Sequence, residues 1–244
     1  MDNPLNVLRA AVGFARVVRD PDRLGEVFQF IDNTVMSERF AGPVLQAFRE
    51  TEEGARALVE RPRTGRIDLD ALSRFPEGSL GHAFATHMRS LGLDPDALPS
   101  RAAHNEMEWV SAHLYETHDI WHVVTGFGAD RAGELGLQAF YLGQFPSRVA
   151  AGILTMGFAN TLLFEFDDAE RRMDAIVRGW VLGRRARRLL GVDWKSLWSV
   201  PLEEVRARFA IDVAGADAVV ASLLRAGPVR SAREAVERAV MAEA

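Results

Sequence analysis

Apolar residues recur at helical spacing along almost the whole chain, and this periodicity restricts the possible folds more than any other feature. The first stripe consists of Leu5, Leu8, Val12, Ala15 and Val18, whose spacing of three to four residues places them on one side of a helix. No stretch alternates convincingly with a period of two, the pattern of a half-buried strand, and no internal repeat is visible. The periodicity therefore predicts an all-α protein built as a multi-helix bundle.

Turn and capping residues divide this pattern into successive helices. One helix is predicted to begin near Ser37 and to end at Arg61–Pro62, and a long one should start near His104 and end at Gly126 and Gly128. Further helices are expected at about residues 130–144, 148–165, 168–190 and 201–210.

Length and composition agree with one sizeable domain. The chain has 244 residues, of which 48% are apolar and 26% are charged, enough to build a core and too apolar for a mainly disordered chain. Because the helical pattern weakens after Gly215, we expect a single helical domain over residues 1–215 and a C-terminal helical tail over residues 216–244. The net charge of −5 provides no broad basic field, which argues against a nucleic-acid partner.

The chain contains no cysteine, which excludes disulfide scaffolds, thiolate metal sites and thiol nucleophiles. Any metal must therefore be held by histidine nitrogen and carboxylate oxygen. The first twenty residues lack the basic leader and long apolar run of a signal peptide, so we expect a cytoplasmic protein. The longest uncharged run, residues 149–164, would extend about 24 Å as a helix, which is shorter than the ~30 Å hydrocarbon core of a bilayer. We therefore expect a buried helix there.

The most informative residues lie on the long predicted helix. At 100° per residue, His118, Asp119 and His122 project into one quadrant of the helical wheel. Two imidazoles one turn apart can bind a single divalent ion, as they do in helical HExxH sites. Glu134 follows beyond the turn at residues 126–128, so a helix that folds back would bring its carboxylate to the same ion. The sequence thus suggests His118, Asp119, His122 and Glu134 as ligands of a metal site on a central helix.

The residue types narrow the choice of metal without settling it. Two imidazoles and two carboxylates suit Zn²⁺ or non-haem Fe²⁺. Histidine pairs four residues apart also occur by chance on helices that bind no metal, so the spacing alone leaves a solvated or core pair open. The remaining candidate histidines, expected to have structural or supporting roles, are His82, His87, His104 and His113.

The segments around this motif resemble those of a known family. The resembling residues are His118-Asp119-x-x-His122 with eleven residues before Glu134, the stretch Thr117-His-Asp-Ile-Trp-His-Val-Val-Thr-Gly-Phe-Gly, and upstream Phe75-Pro-Glu-Gly-Ser-Leu-Gly81 and Glu60-Arg-Pro62. They resemble the bacterial branch of the coenzyme Q (ubiquinone) biosynthesis protein family Coq-four, over about residues 1–200. Gln138 departs from some eukaryotic members, which carry Lys there.

The resemblance implies an all-helical, dimeric, peripheral membrane protein of ubiquinone synthesis with a zinc-type site. Its implied activity is removal of the C1 carboxylate from a polyprenylated 4-hydroxybenzoate, with or without C1 hydroxylation, at the inner face of the cell membrane. Tyr115 or an unligated Asp119 would then deliver a proton to the ring. Other ubiquinone-biosynthesis enzymes are implied partners, because family members are also regarded as organisers of those enzymes.

If the substrate carries a lipid tail, two further segments have predicted roles in binding the tail and the membrane. Residues 149–164 would form one wall of a groove for the polyprenyl chain, with a plain core helix as the alternative. The basic, tryptophan-rich stretch over residues 180–198 suits an anionic membrane surface, and a solvated helix face is the alternative.

Two other classes of function stay open on the sequence. A non-catalytic lipid-binding scaffold would use a metal with four closed protein ligands to stabilise its fold, whereas an open coordination position would favour an enzyme. An HD-type metal phosphohydrolase is suggested by His118–Asp119 in an all-helical protein. His82 or His87 with Asp167 would complete such a site, although the spacing to Glu134 argues against it.

Overall fold

The computed structural model describes residues 16, 18–20, 38–95 and 103–226. In this part of the chain there is no β-sheet, and one isolated bridge pairs Ser79 with Pro201. The helices are α1 Glu38–Arg49, α2 Glu52–Glu60, α3 Leu69–Leu72, α4 Leu80–Ser90, α5 Glu106–Thr125, α6 Arg131–Gln144, α7 Arg148–Phe164, α8 Ala169–Arg185, α9 Leu202–Arg208 and α10 Val213–Ala226. Short 3₁₀ turns cover Phe166–Asp168 and Trp194–Leu197. The predicted all-α class is confirmed.

Short polar side chains begin most of these helices by accepting hydrogen bonds from backbone N–H groups of the first turn. The capping residues are Thr51, Asp68, Ser79, Asn105, Asp130 and Ser147. At its other end the long helix α5 stops at Gly126, whose φ of 70° is the left-handed conformation that glycine adopts without strain. The predicted end of this helix is therefore correct.

The helix α5 lies at the centre of the fold. It packs against α1, α2, α4, α6 and α9. Its Trp109, Ile120 and Trp121 are completely buried in the main hydrophobic core. A helix surrounded in this way has little freedom to shift, so side chains at its ends are presented from a rigid element.

The predicted helix from Ser37 to Arg61 is wrong, because the chain forms two helices there. Helix α1 ends at Arg49 and α2 begins after Thr51, whose side chain accepts the Gly54 N–H at 3.1 Å. The apolar spacing continues across this break, so periodicity alone did not reveal it. Of the first predicted stripe, Val18 lies within the described residues and is buried.

The helix predicted over residues 168–190 also ends early, at Arg185. The chain then turns inward, and Leu189, Leu190 and Trp194 are buried in the main core. The stretch over residues 180–198 therefore does not form one amphipathic membrane face.

The apolar run 149–164 forms α7, but only one side of this helix is buried. Ala150 and Leu154 face the interior, whereas Phe158 and Leu162 are 46% and 68% exposed. The expected buried helix is therefore buried on one side only, because the other described elements cover α7 from that side. None of the described helices is both long and apolar enough to cross a membrane.

Helix α10 crosses the boundary expected after residue 215. Ala216 is buried in the main core, and α10 packs against α8. The first turns of the expected tail are therefore packed onto the domain. Residues 227–244 lie outside the described residues, and the division into domain and tail stays a prediction.

Helices α6 and α8 approach each other through glycines. Gly136 and Gly143 on α6 face Gly179 and Gly183 on α8, and a Cβ added at Gly179 would lie 1.9 Å from the Gly136 carbonyl oxygen. No side chain fits between the two backbones at this point. Helix α8 therefore supports the back of α6, the helix that carries Glu134.

The start of α8 supplies a pH-dependent contribution to stability. The Asp168 carboxylate accepts hydrogen bonds from Arg171 at 2.6 Å and from Arg172 at 2.8 Å, and these bonds lower its pKa from 3.8 to about 2. Because the folded pKa lies below the unfolded value, this stabilisation is complete above about pH 4 and is lost as the pH falls toward 2.

We expect Asp168→Asn to unfold more easily than the wild type at pH 7 and to lose less stability between pH 4 and pH 2. Urea unfolding at a series of pH values measures both effects. Equal losses for the two proteins over that interval would contradict this assignment.

Candidate metal centre

The end of α5 and the first turn of α6 bring His118 and His122 close to Glu134. Asp119 forms a group with the two histidines to which Glu134 does not belong. The Nε2 atoms of His118 and His122 lie 3.3 Å apart. The Glu134 carboxylate lies 3.1 Å from Nε2 of His122 and 3.6 Å from Nε2 of His118. Asp119 offers a ligand atom within 4.8 Å of those of both histidines. That this cluster binds a metal ion stays a prediction.

The local sequence explains how two helices meet here. The backbone N–H of Gly126 donates to the His122 carbonyl and closes α5, and four residues later Asp130 begins α6 by accepting the N–H groups of Ala132 and Gly133. The short turn between these caps reverses the chain. Glu134, in the first turn of α6, consequently faces the last turns of α5.

A backbone carbonyl holds the His122 ring in one orientation. Nδ1 of His122 lies 3.2 Å from the carbonyl oxygen of Phe127. Since a carbonyl oxygen can only accept, Nδ1 carries the proton and donates it. Nε2 then faces His118 and Glu134, where it donates to Glu134 if the ring is protonated or offers its lone pair to a metal ion if the ring is neutral. Imidazoles that bind metals are commonly oriented by such a hydrogen bond from the other ring nitrogen.

Tyr141 supports the second imidazole and was missed by the sequence analysis. Its hydroxyl lies 3.4 Å from Nδ1 of His118, and its ring stacks on Trp121 at 4.4 Å between centroids. Burial raises the pKa of Tyr141, as do the charges of Asp119 and Glu134, so the hydroxyl keeps its proton. The sequence could have indicated Tyr141, because it follows Glu134 by seven residues and therefore lies two turns further along the same face of α6.

The charges of the cluster favour a cation between its members. Burial alone would raise the pKa of the Glu134 carboxyl, but hydrogen bonds from His118 and His122 and their positive charge hold it far below its usual range. Burial alone would lower the pKa of His118, but the hydrogen bond to Glu134 and the charges of Glu134 and Asp119 raise it overall. Lone pairs that face one another at these distances need a proton or a metal ion between them.

The residues present fit a small divalent ion. Bonds of about 2.0–2.2 Å at tetrahedral angles place neighbouring ligand atoms roughly 3.3–3.6 Å apart. The separations of 3.1, 3.3 and 3.6 Å between the imidazole and carboxylate atoms are close to that range. The His122 side chain is 1% exposed, whereas those of His118 and Glu134 are 31% and 39% exposed. One side of the cluster therefore faces solvent and is accessible to a further ligand.

The other candidate histidines take different positions. The His87 ring stacks on His122 at 5.9 Å, and its buried Nε2 has no hydrogen-bond partner in the described part of the chain. Burial lowers the pKa of His87, which favours a neutral ring beside the cluster. Nε2 of His113, fully buried elsewhere in the core, accepts the Gly191 N–H at 3.3 Å, and burial lowers its pKa to about 4. His113 is thus a structural residue.

Two other residues lie on the helices that build the cluster. Tyr115 is partly buried on α5, one turn before His118, and its predicted role as a proton donor stays a prediction. Gln138 is buried on α6, one turn after Glu134 and on the same face.

A cavity of about 370 Å³ lies beside the turn that supports His122. Its lining includes Phe127, Gly133, Arg178 and Leu224. None of the four candidate ligands lines it, and neither do residues 149–164, the segment expected to form a wall of the polyprenyl groove.

The structure thus defines an all-helical domain in which two adjacent helices bring a pair of imidazoles into contact with the carboxylate of Glu134, a candidate divalent-metal centre. The family model described as "Coenzyme Q (ubiquinone) biosynthesis protein Coq4" matches residues 10–214. The chain belongs to this family, and the resemblance inferred from the motif is confirmed.

Individual relatives agree with this assignment. The chain is 28% identical over 218 residues to the mitochondrial ubiquinone biosynthesis protein COQ4 of Laccaria bicolor, covering 82% of this chain and 68% of that protein. It is 29% identical to the mitochondrial coq-4 protein of Caenorhabditis elegans, covering 85% of this chain and 91% of that protein. Two other mitochondrial relatives are longer, and the chain spans 62% and 61% of their length.

The fold is similar to one that has been solved by crystallography. A ubiquinone biosynthesis protein from Nostoc punctiforme superposes with a TM-score of 0.72 at 27% sequence identity. The match covers 83% of this chain and 96% of that one.

Proposed function

We propose that this member of a ubiquinone-biosynthesis family is a metal-dependent carboxy-lyase that acts on a polyprenylated 4-hydroxybenzoate. One observation carries the proposal: His118, His122 and Glu134 direct ligand atoms to one point at separations of 3.1–3.6 Å, while one side of the cluster faces solvent. A partly exposed ligand set leaves a position for substrate, which favours an enzyme over a purely structural metal site.

The reaction requires a proton at the ring carbon that loses carboxylate. Cleavage of the bond between C1 and the carboxyl group releases CO₂ and leaves its electron pair on C1, which takes up one proton. A divalent ion held by His118, Asp119, His122 and Glu134 would supply Lewis-acid stabilisation of negative charge on a ring oxygen. Tyr115, or Asp119 where it does not bind the ion, would deliver the proton. Tyr141 would keep its own proton and orient His118.

The identity of the ion separates two versions of this chemistry. Zn²⁺ has no redox chemistry, so a zinc protein would leave hydrogen at C1. Oxidative decarboxylation would place a hydroxyl group there, and it would require O₂ as the oxidant together with a redox-active ion such as Fe²⁺. Either one oxygen atom of O₂ would enter the hydroxyl group and the other would leave as water, with two electrons from a reductant, or the hydroxyl oxygen would come from water and O₂ would leave as H₂O₂. The imidazole and carboxylate ligands suit both ions.

The second candidate is a scaffold that binds lipid and other ubiquinone-biosynthesis enzymes without catalysis. It is favoured by large apolar side chains that α7, the 3₁₀ turn after it and α8 leave exposed, because exposed apolar area is typical of partner or membrane contacts. These residues are Phe158, Leu162, Phe166, Met173 and Trp180. On the same basis we propose a homodimer that associates from the cytoplasm with the inner face of the cell membrane, where a polyprenyl tail would reside.

The HD-type phosphohydrolase has no comparable support. Among the described residues, the group of ligand atoms within 4.8 Å of one another contains neither His82, His87 nor Asp167. Glu134 is also outside that group, but its carboxylate lies 3.1 Å and 3.6 Å from the two imidazoles.

Metal content and CO₂ release together test the proposal. Protein purified without chelator is analysed for bound metals and is then incubated, in detergent or vesicles, with polyprenylated 4-hydroxybenzoate labelled with ¹³C in the carboxyl group. Release of ¹³CO₂ in proportion to bound metal supports the carboxy-lyase, and the group found at C1 separates the two versions. Bound lipid without CO₂ release would support the scaffold instead.

A further inference from the structure

Two arginines from outside the cluster hold the end of α5. Arg206 on α9 donates from Nε to the Val124 carbonyl at 2.9 Å and from Nη2 to the Val123 carbonyl at 3.1 Å. Arg178 on α8 donates from Nη2 to the Thr125 carbonyl at 3.2 Å. We call these two side chains the arginine clamp.

The clamp completes the hydrogen bonding of a helix end. The last four carbonyls of an α-helix have no partner within the helix, and their partial negative charge favours cations nearby. In α5 the first of these four belongs to His122 and accepts the Gly126 N–H, and the clamp supplies donors to the other three. The guanidiniums are themselves held, Arg178 by Asp217 at 2.7 Å and Arg206 by Glu203 at 2.6 Å.

The clamp also adjoins the turn that orients His122. The Arg178 guanidinium lies 4.4 Å from the centre of the Phe127 ring, a cation–π contact. A Cβ added at Gly126 would lie 3.4 Å from Arg178 and 3.5 Å from Arg206, so the two guanidiniums flank this glycine. The next residue, Phe127, provides the carbonyl that accepts the His122 Nδ1 proton.

We propose that Arg178 and Arg206 are positioning residues of the candidate metal centre, acting through the Phe127 carbonyl on the His122 imidazole. By restricting where this turn can lie, the clamp keeps Nδ1 of His122 hydrogen-bonded while Nε2 faces Glu134. The inference rests on the proposed function, because it assigns the clamp to an ion at His122. Without the clamp the imidazole would rotate more freely, and the ion would lose part of its preorganised ligand set.

The test compares Arg178→Met and Arg206→Met with Arg188→Met. Met keeps much of the aliphatic length of Arg and removes its donors. Arg188 is a control because it forms an ion pair with Glu50 at 2.7 Å, and its guanidinium has no hydrogen bond to α5 among the described residues. Zn²⁺ affinity is measured by competition with a chelator. We expect both clamp variants to bind Zn²⁺ about 10-fold more weakly, as is typical when a group that orients a metal ligand is lost. Arg188→Met should bind like the wild type.

A second measurement follows the ring itself. The exchange rate of the His122 Nδ1 proton with water, measured by NMR with and without Zn²⁺, should increase in both clamp variants. Unchanged affinity and unchanged exchange, with reduced thermal stability alone, would show that the arginines merely join helices and would overturn the inference. If a Met variant does not fold, Arg206→Lys is measured in its place, and we expect a smaller change in the same direction.

The two proposals fail in distinguishable ways. A wild-type protein that binds neither Zn²⁺ nor Fe²⁺ would contradict the proposed function, and proton exchange in the metal-free protein would still decide whether the clamp orients His122. A wild type that binds Zn²⁺, with clamp variants of equal affinity and equal exchange, would overturn the clamp alone.

Discussion

His122→Ala is expected to weaken ion binding strongly while the protein stays helical and folded. His122 is the most buried of the four candidate ligands, and its removal leaves Glu134 without its nearest nitrogen partner at 3.1 Å. We expect the loss of affinity to exceed the roughly 10- to 100-fold that follows removal of a supporting hydrogen bond. The large core around α5 does not depend on the ion, so circular dichroism should report an unchanged helix content.

His104→Ala is the matched control, since His104 is an exposed histidine near the other end of α5. Chelator competition measures the metal affinity, and elemental analysis the metal content, of the wild type, His122→Ala and His104→Ala. Equal metal content in His122→Ala and the wild type would place the ion elsewhere. Because the His122 ring is buried and bonded to the Phe127 carbonyl, loss of folding in this variant alone would reflect lost packing. Loss of stability in both His122→Ala and Glu134→Gln would indicate a metal that stabilises the fold, as the scaffold alternative requires.

Gly179→Val is expected to produce the largest loss of stability among single substitutions discussed for this protein. The new Cβ would lie 1.9 Å from the Gly136 carbonyl oxygen, so α6 and α8 would have to separate. Overpacking of this kind costs about 3 kcal/mol or more when backbone must move. For a chain of this size the melting temperature should fall by roughly 6–12 °C. Because α6 carries Glu134, Zn²⁺ affinity should fall as well.

Gly42→Ala is the control, because an added Cβ meets nothing within 4 Å there and Gly42 lies inside helix α1. The helix propensity of alanine favours this replacement by about 0.5–1 kcal/mol, whereas the ring of the following Pro43 disfavours a side chain in the helical conformation before it. We therefore expect a change in stability much smaller than that of Gly179→Val. Thermal and urea unfolding of both variants give the comparison. A Gly179→Val protein as stable as the wild type would mean that α6 and α8 do not touch as described.

Local signals account for what could be predicted about the site. The spacing of His118 and His122 fixes their common face once α5 is recognised, and Gly126 marks the end of that helix. The position of Glu134 beside the end of α5 follows from a short turn and a capping aspartate, Asp130. Both features can be recognised in the sequence. Residues that act within a few turns of one another were therefore predictable.

The features that were missed depend on distant packing. Leu189 and Trp194 are buried because the chain after α8 turns into the core, which no local pattern indicates. An uninterrupted apolar run such as 149–164 carries no polar face, so its periodicity cannot tell which side of α7 is covered. Arg178 donates to a carbonyl 53 residues away along the chain, and Arg206 to one 82 residues away. No local sequence pattern predicts hydrogen bonds over such separations.

We propose that a divalent ion bound at this cluster takes part in decarboxylation. The most direct test measures ¹³CO₂ release per folded molecule by the wild type and by Glu134→Gln, which removes a charged ligand and nearly preserves its shape. We predict that Glu134→Gln keeps normal helix content and abundance while its release of ¹³CO₂ falls at least as far as its metal affinity. Wild-type release per folded molecule in Glu134→Gln would contradict the catalytic account and would favour the scaffold.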